Sequence, residues 1–469
     1  MNEFPDHLRR RLTRPAAVLG AGVSGRAVAE ALSLAGFASV IYDEKGENRQ
    51  FTAEEAKRHD LVIYSPGFPQ PHPWLLAARR AGLQCLSELD FGAILWGGAS
   101  IAITGTNGKT TLTEFLSFAH KRAGLNAIAC GNIGLPLTAL ANTSSNAAFL
   151  AVVEVSSFQG EDLRYFSPET VLWINFDEDH LDRHGDLESY FRAKYKLIER
   201  MVPGGTLIVG ESVVAAAKQF GIELPDETIV ATRAEVEHVA PAGSIFESWP
   251  QRENWAVAVR YWQSKGIALR ILEESARLFR PAPHRLRKVA EARGIEYWND
   301  SKGTNFHAVH AALAQFQIPV RWIGGGKWKG GDLKRFVEQV APRIDAAYLI
   351  GETGPELLKT FQALGKPAFY FESLQDAVVA AARDAHGPMA ICSVLDFRVS
   401  ICLRVTLNAD SFLSVPLRHF PTAPNFSQPK PTYTHASYHH RYRRRASAPL
   451  RHRRPRWSER LPKHFGLRA

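Results

Sequence analysis

Residues 105–111, GTNGKTT, constrain this chain more than any other stretch. They sit between an apolar run, SIAIT at 100–104, and a helix-patterned run that ends near Gly124. Glycines in that place let backbone N–H groups wrap an anion, and the dipole of the following helix favours its charge. Lys109 is spaced to neutralise the β- and γ-phosphates of a nucleotide, with the hydroxyl of Thr110 on Mg²⁺. A strand that turns into a helix and returns as another strand builds a parallel sheet, so an α/β fold is expected.

The same rhythm continues along most of the chain. Near the start, AAVLG leads into GAGVSG, a helical pattern and then SVIYDE. Gly20, Gly22 and Gly25 permit a tight turn and let a phosphate approach a helix start, as in Rossmann-like units. Asp43 follows the second strand, where a carboxylate can meet a ribose or base. By itself this glycine pattern marks no more than a tight βα turn. Later strands read FLAVVEVSS, TVLWINF and GTLIVG, then IEYWN, VRWIGG, AAYLIG and KPAFYF. The 469 residues divide into segments 1–95, 96–282 and 283–390, close to a prior of roughly 150 residues per domain. A fourth stretch, 391–469, loses the rhythm.

Several classes drop out. No run of about 18 uncharged apolar residues is present, so no membrane span is expected. The start, MNEFPDHLRRRLTRP, has no apolar core of a secretory signal. Cys85, Cys130, Cys392 and Cys402 lie far apart without metal-ligand spacing, which suits a reduced, cytoplasmic protein. The net charge of +10 misleads, because residues 391–469 hold 15 Lys and Arg against 3 Asp and Glu, while residues 1–390 hold 42 against 44. The body of the chain therefore carries no electrostatic case for nucleic acid.

Two further clusters carry chemistry. VEVSSFQ puts Glu154 at the end of an apolar strand, facing the phosphate loop, where a carboxylate suits Mg²⁺. NFDEDHLDRH supplies Asn175, Asp177, Asp179, His180 and Asp182 after another strand. His180 is a candidate metal ligand, too isolated for zinc, which takes three or four N or S ligands.

Taken with YFRAK, PHR and NDSKGTN, these motifs resemble the Mur ligases, the ATP-dependent amide-bond ligases of peptidoglycan synthesis, whose relatives include folylpolyglutamate synthase. The resemblance covers about residues 12–390. It implies three domains: a Rossmann-like UDP-binding domain, a central P-loop-type ATPase domain and a Rossmann-like C-terminal domain, with the active site in the cleft between them. GAGVSG and SPGFP point to the branch that joins D-glutamate to UDP-N-acetylmuramoyl-L-alanine. A sister ligase adding another amino acid is the alternative.

The resemblance also implies roles. Gly105, Thr106, Asn107, Gly108, Lys109, Thr110 and Thr111 hold ATP. Glu154, His180 and Thr110 serve two Mg²⁺ sites, joined by Lys194 carrying a carbamate; Lys109, Glu154, His180 and Lys194 form the catalytic set. Asn254 meets adenine, although Gln251 stands where the family usually has asparagine. Arg285, Asp300 and Lys302 reach ATP from the third domain. Gly20, Gly22, Ser24, Gly25, Asp43, Ser65 and Gly67 take the UDP part, and Asn132, Ser156, Ser157 and Gln159 the rest of that substrate. Thr304 and Lys329 hold D-glutamate. NAD, which the glycine motif signals elsewhere, is discounted, and a monomer is expected.

Members of the D-glutamate-adding branch end in a segment like S-P-x-x-x-S-F-D-x-F, followed by R-G, that helps bind D-glutamate. Residues 391–469 lack it. Codons permitted for residues 393–410, read one base out of frame, spell F-S-P-G-F-S-S-F-D-M-F-K-G-Y-A-E-R-G. A one-base deletion near the codons for Ile391 and Cys392 accounts for both the missing ending and the arginine-rich tail. The tail is then expected to be disordered or misfolded, the third domain destabilised and ligation impaired. Sequencing the locus checks this, since an intact frame encoding the tail removes the explanation. The rival reading, a ligase core with a basic nucleic-acid-binding arm, requires salt-dependent RNA or DNA binding that vanishes on truncation at Ala390.

Overall fold

A computed structural model describes residues 5–10, 12–45, 50–143, 149–232, 240–247, 249–281, 286–301, 306–327, 332–385 and 387–393. Within them lie three sheets. The first has four parallel strands, β1 (Ala16–Leu19), β2 (Ser39–Tyr42), β3 (Leu61–Tyr64) and β4 (Gln84–Ser87), in the order β2-β1-β3-β4. AAVL and LVIY are apolar at every position because both faces of these strands are buried. The helix Val23–Leu34 follows β1 and packs its Ala27, Val28, Ala31 and Leu32 inward.

The central sheet contains β5 (Ser100–Thr104), β6 (Ala127–Gly131), β7 (Leu150–Glu154), β8 (Thr170–Trp173), β9 (Thr206–Gly210) and β10 (Ile229–Ala231). Its order is β10-β9-β8-β5-β7-β6, all parallel. β5 lies in its middle, so the glycine loop that follows β5 opens at the centre of the sheet's C-terminal edge, where α/β folds bind ligands. One face is filled by Phe115, Phe246, Trp255 and Phe279, with Phe115 and Phe246 rings 4.5 Å apart.

The first sheet is tied to the central one by the helix Glu88–Leu95. Ser87 caps it by accepting from Asp90 N, and the buried Asp90 carboxylate accepts the backbone N–H groups of Arg164, Tyr165 and Phe166. Buried Glu88 accepts from Thr138 N at 3.0 Å. Each carboxylate thereby satisfies backbone donors that burial would otherwise orphan.

The third sheet orders β11 (Arg287–Ala292), β12 (Ile295–Asn299), β16 (Met389–Ser393), β13 (Val320–Gly325), β14 (Ala346–Ile350) and β15 (Ala368–Phe371) as written. Only β11, at the edge, runs antiparallel to its neighbour. The last of the described strands, β16, thus lies inside the sheet, between β12 and β13. It runs three residues beyond the expected boundary at Ala390, because Ile391 and Cys392 are buried and continue the ladder. The remainder of the basic tail lies outside the described residues. No helix among those described is long and apolar enough to cross a membrane.

One buried titratable group gives a stability signature. His120 pairs with the Tyr261 hydroxyl at 2.9 Å inside the central core, and burial, aided by the Lys265 charge, pushes its imidazole down to about 4. The folded chain therefore refuses a proton that the unfolded chain accepts below its ordinary value of 6.5. Stability should fall as pH drops from 6.5 to 4, by up to about 3 kcal/mol. Urea unfolding at several pH values checks this, and His120→Gln should lack that part of the slope.

Candidate active site

The loop between β5 and the helix Lys109–Arg122 is held from behind. Asn175 Oδ1 accepts from Thr106 N at 3.1 Å and Asn107 N at 3.0 Å. The Thr106 hydroxyl donates to Asp177 O and accepts from Asp177 N. Gly108 caps the helix with φ of +81°, and a Cβ there would lie 2.4 Å from Asn254 Oδ1. The position thus requires glycine for both conformation and space. Lys109 Nζ donates to Gly105 O and Thr106 O, each at 2.8 Å. Thr110 is half-buried in the first turn and Thr111 is buried.

Lys194 approaches from the helix Leu187–Arg200. That helix lies so close to the short helix Ser157–Gly160 that a Cβ on Gly160 would stand 2.0 Å from Ala193 O. Lys194 is 1% exposed; its Nζ donates to Gly105 O at 2.9 Å and lies 4.7 Å above the Tyr190 ring. Burial first, and the neighbouring Lys109 charge second, hold its amine far below the usual lysine range, against the pull of Asp179 and Glu154.

Glu154, at the end of β7, is buried. Its Oε1 accepts from Asn132 Nδ2 at 2.8 Å, and its Oε2 has no hydrogen-bond partner. An orphaned buried carboxylate oxygen calls for a cation. His180 holds a left-handed backbone (φ 54°, ψ 31°), and its N–H donates to Asp179 Oδ1. Its ring packs 4.7 Å from Phe158. Among the described residues no three His, Cys, Asp or Glu side chains gather round one point. These donors suit magnesium, which keeps waters and binds phosphate oxygens, and not a metal that demands an all-protein cage.

On the first domain, a Cβ at Gly25 would sit 1.8 Å from Gly20 O. Asp43 uses both oxygens on the turn, accepting from Ala21 N at 2.6 Å and Lys45 N at 2.9 Å. The Ala21 N–H is the main reason that its carboxyl titrates low. Gly22 is exposed and Ser24 half-buried beside this helix start, while Ser65 Oγ is buried without a partner and Gly67 is exposed. Ser156 and Gln159 are committed to each other in a capping box. Ser157 Oγ pairs with His184 Nε2 at 3.0 Å. Arg183, salt-bridged to Glu161 at 2.8 Å and 4.1 Å over Phe158, reaches the carbonyls of Pro66 and Phe68.

Other expected residues stand apart or lie outside the described set. Asn254 is 1% exposed, tucked under Gly108, with Nδ2 donating to Gln251 Oε1 at 2.6 Å. Gln251 therefore orients Asn254 where an asparagine was expected. Asp300 accepts from Leu286 N and donates its own N–H to Ser393 O. Arg285, Lys302, Thr304 and Lys329 lie outside the described residues. Sequence reading gave no role to Tyr190, whose hydroxyl reaches Thr106 Oγ1 at 3.3 Å, or to Glu253, which accepts from Asn175 Nδ2. Only the proximity of Glu253 to Asn254 could have flagged the latter. A cavity of about 300 Å³ borders Glu253, with Ile174, Trp249 and Ala256 as apolar walls and Glu211 at its rim.

Comparison with known proteins gives concordant findings. The Mur ligase middle domain matches residues 103–231 and the Mur ligase, glutamate ligase domain matches 284–393. A UDP-N-acetylmuramoylalanine–D-glutamate ligase of Gloeobacter violaceus is 32% identical, over 80% of this chain and 92% of its own length. That of Caldicellulosiruptor bescii is 31% identical, over 77% and 88%. Among solved structures, UDP-N-acetylmuramate-alanine ligase MurC from Thermotoga maritima superposes with a TM-score of 0.54 at 17% identity, over 81% of this chain and 95% of that one. MurF from the same organism, in complex with ADP, gives 0.52 at 15%, over 76% and 91%. At these identities the likeness shows the fold.

Gly108→Ala should drive the loop off Asn254. Affinity for a non-hydrolysable ATP analogue with Mg²⁺ should fall at least about fivefold, since relieving such an overlap costs about 1–3 kcal/mol. Affinity for UDP should not change. Isothermal titration of both ligands checks the contrast.

Proposed function

Since the chain belongs to the Mur ligase family, a family of ATP-dependent, amide-bond-forming ligases, we propose that it joins D-glutamate to UDP-N-acetylmuramoyl-L-alanine in peptidoglycan precursor synthesis. The observation that carries this reading is the meeting of Lys109 and Lys194 on the single carbonyl of Gly105, with the orphaned Glu154 oxygen buried nearby. A carboxylate is a poor acyl donor because oxide does not leave. Transfer of a phosphoryl group to it makes an acyl phosphate; the amine then attacks the carbonyl, and phosphate departs from the tetrahedral intermediate. Both steps bring anions together, so the residues around them must supply positive charge and oriented donors.

In this assignment Lys109 leaves the loop carbonyls for the β- and γ-phosphates, and Thr110 offers its hydroxyl to the metal. Glu154, steadied by Asn132, and His180 would hold Mg²⁺, whose chemistry is to neutralise charge on the transferring phosphoryl group. Lys194 is proposed to carry a carbamate: a neutral buried amine can attack CO₂, and the resulting anion gives the second metal a ligand that a lysine cannot. The turn at Gly20–Gly25 and the Ser65–Gly67 loop take the UDP part, and Ser157, on the central domain, is assigned to the rest of that substrate. Arg285, Lys302, Thr304 and Lys329 are assigned from the family pattern alone.

The amino-acid end of the site explains the weight given to the tail. β16 runs parallel to β12 and ends level with Asn299, and Ser393 O accepts from Asp300 N. The chain thus leaves the sheet beside the proposed ribose contact, where the family's D-glutamate segment would begin. Ligation by the chain as it stands is proposed to be impaired.

Phosphate release measured with ATP, UDP-N-acetylmuramoyl-L-alanine and a panel of amino acids checks this. A variant with the ending S-P-G-F-S-S-F-D-M-F restored should turn over with D-glutamate alone among the panel. The unaltered chain should be slower by about a hundredfold or more, a barrier difference near ~2.7 kcal/mol. With ¹³C-bicarbonate, a carbamate resonance should appear and be lost in Lys194→Ala. Equal turnover of both chains, or preference for another amino acid, would refute the respective part.

A further inference from the structure

We propose that Asn175 and Glu253 form a strut that sets the shape of the ATP loop, so that both act as positioning residues for the nucleotide. Asn175 follows β8, next to the strand that carries the loop. Its Oδ1 accepts two consecutive loop N–H groups, those of Thr106 and Asn107, at 3.1 and 3.0 Å. Its Nδ2 donates to Glu253 Oε2 at 2.7 Å, a charge-assisted bond. Its backbone carbonyl accepts from Thr106 N and from Trp173 Nε1, so both its side chain and its main chain are held.

Glu253 lies in the first turn of the helix Gln251–Ser264, one residue before Asn254. That helix therefore touches the loop twice: through Glu253 and Asn175 at Thr106 and Asn107, and directly through Asn254 beneath Gly108. Two contacts on one short turn fix its curvature, and curvature decides where Lys109 and the first helical N–H groups point. Position 175 must accept at one atom and donate from another, which among short side chains only an asparagine amide does. Aspartate would keep the acceptor and place a second carboxylate against Glu253.

The proposal rests on the loop being the ATP site, and binding experiments separate the two claims without any need for ligation. Affinities for a non-hydrolysable ATP analogue with Mg²⁺ and for UDP are measured by titration on the full chain, together with Tm. Asn175→Asp should weaken the ATP analogue at least about tenfold and leave UDP unchanged. Glu253→Gln alone, which retains an acceptor, should stay within about threefold. Combining the two substitutions lets an amide at position 253 donate to a carboxylate at position 175, a reversed bond, and should recover most of the loss. If Asn175→Asp does not fold, Glu253→Leu cuts the strut from the helix side and should cost ATP-analogue affinity at least about threefold. Equal loss of both ligands, no recovery in the double variant, or full affinity in Glu253→Leu overturns the strut. Failure of the unaltered chain to bind the ATP analogue overturns the loop assignment instead.

Discussion

Two lysine amines donate to one backbone carbonyl, that of Gly105, and this crowding governs the rest of the site. Burial, and then the repulsion between two amines on one acceptor, pushes the deeper of them well below the usual lysine range. That one is Lys194, enclosed by Tyr190, Thr106 and the short helix that Gly160 lets approach. Lys109 stays nearer the surface, where its charge can meet phosphate. One loop thereby gathers two amines on a single carbonyl oxygen, the deeper of them held well below the usual lysine range. The orphaned oxygen of Glu154 leaves one buried acceptor in this setting without a donor.

The loop can bear this because it is pinned from several sides. β5 lies in the middle of its sheet, Asn175 holds two loop amides, and Asn254 closes the space under Gly108. Around this fixed centre the first domain is joined by many small polar ties. Asp90 gathers three backbone donors of the central domain, Glu88 takes another, and Arg183 spans from Glu161 to the carbonyls of Pro66 and Phe68. Each is a buried or half-buried group that would be costly if left unpaired, so together they favour one orientation of the first domain relative to the glycine loop.

The third sheet places its last strand internally, and this makes the end of the chain matter. A terminal edge strand could be altered with little consequence. β16 instead carries the ladder between β12 and β13, and its final residue bonds Asp300. The apolar run at 389–392 is preserved, so the sheet closes. Beyond Ser393 the letters change character.

Much of this was legible in the letters. The glycine loop between a strand and a helix, the apolar strands without alternation and the single carboxylate closing VVE are local patterns with local causes: N–H groups at helix starts, burial on both sheet faces, a metal's need for oxygen. Such causes act over a few residues, so sequence order suffices to read the α/β class and to single out Lys109, Thr110 and Glu154 as candidates. Tertiary structure alone decided what depends on contacts between distant segments. It set the depressed titration of Lys194, the retreat of Asn254 under Gly108, the commitment of Asp43 to its own turn, and the bridge from Thr106 through Asn175 to Glu253. Burial and hydrogen-bond partnership are properties of the packed chain, and residues far apart in sequence acquire them only when the sheets and helices close on one another.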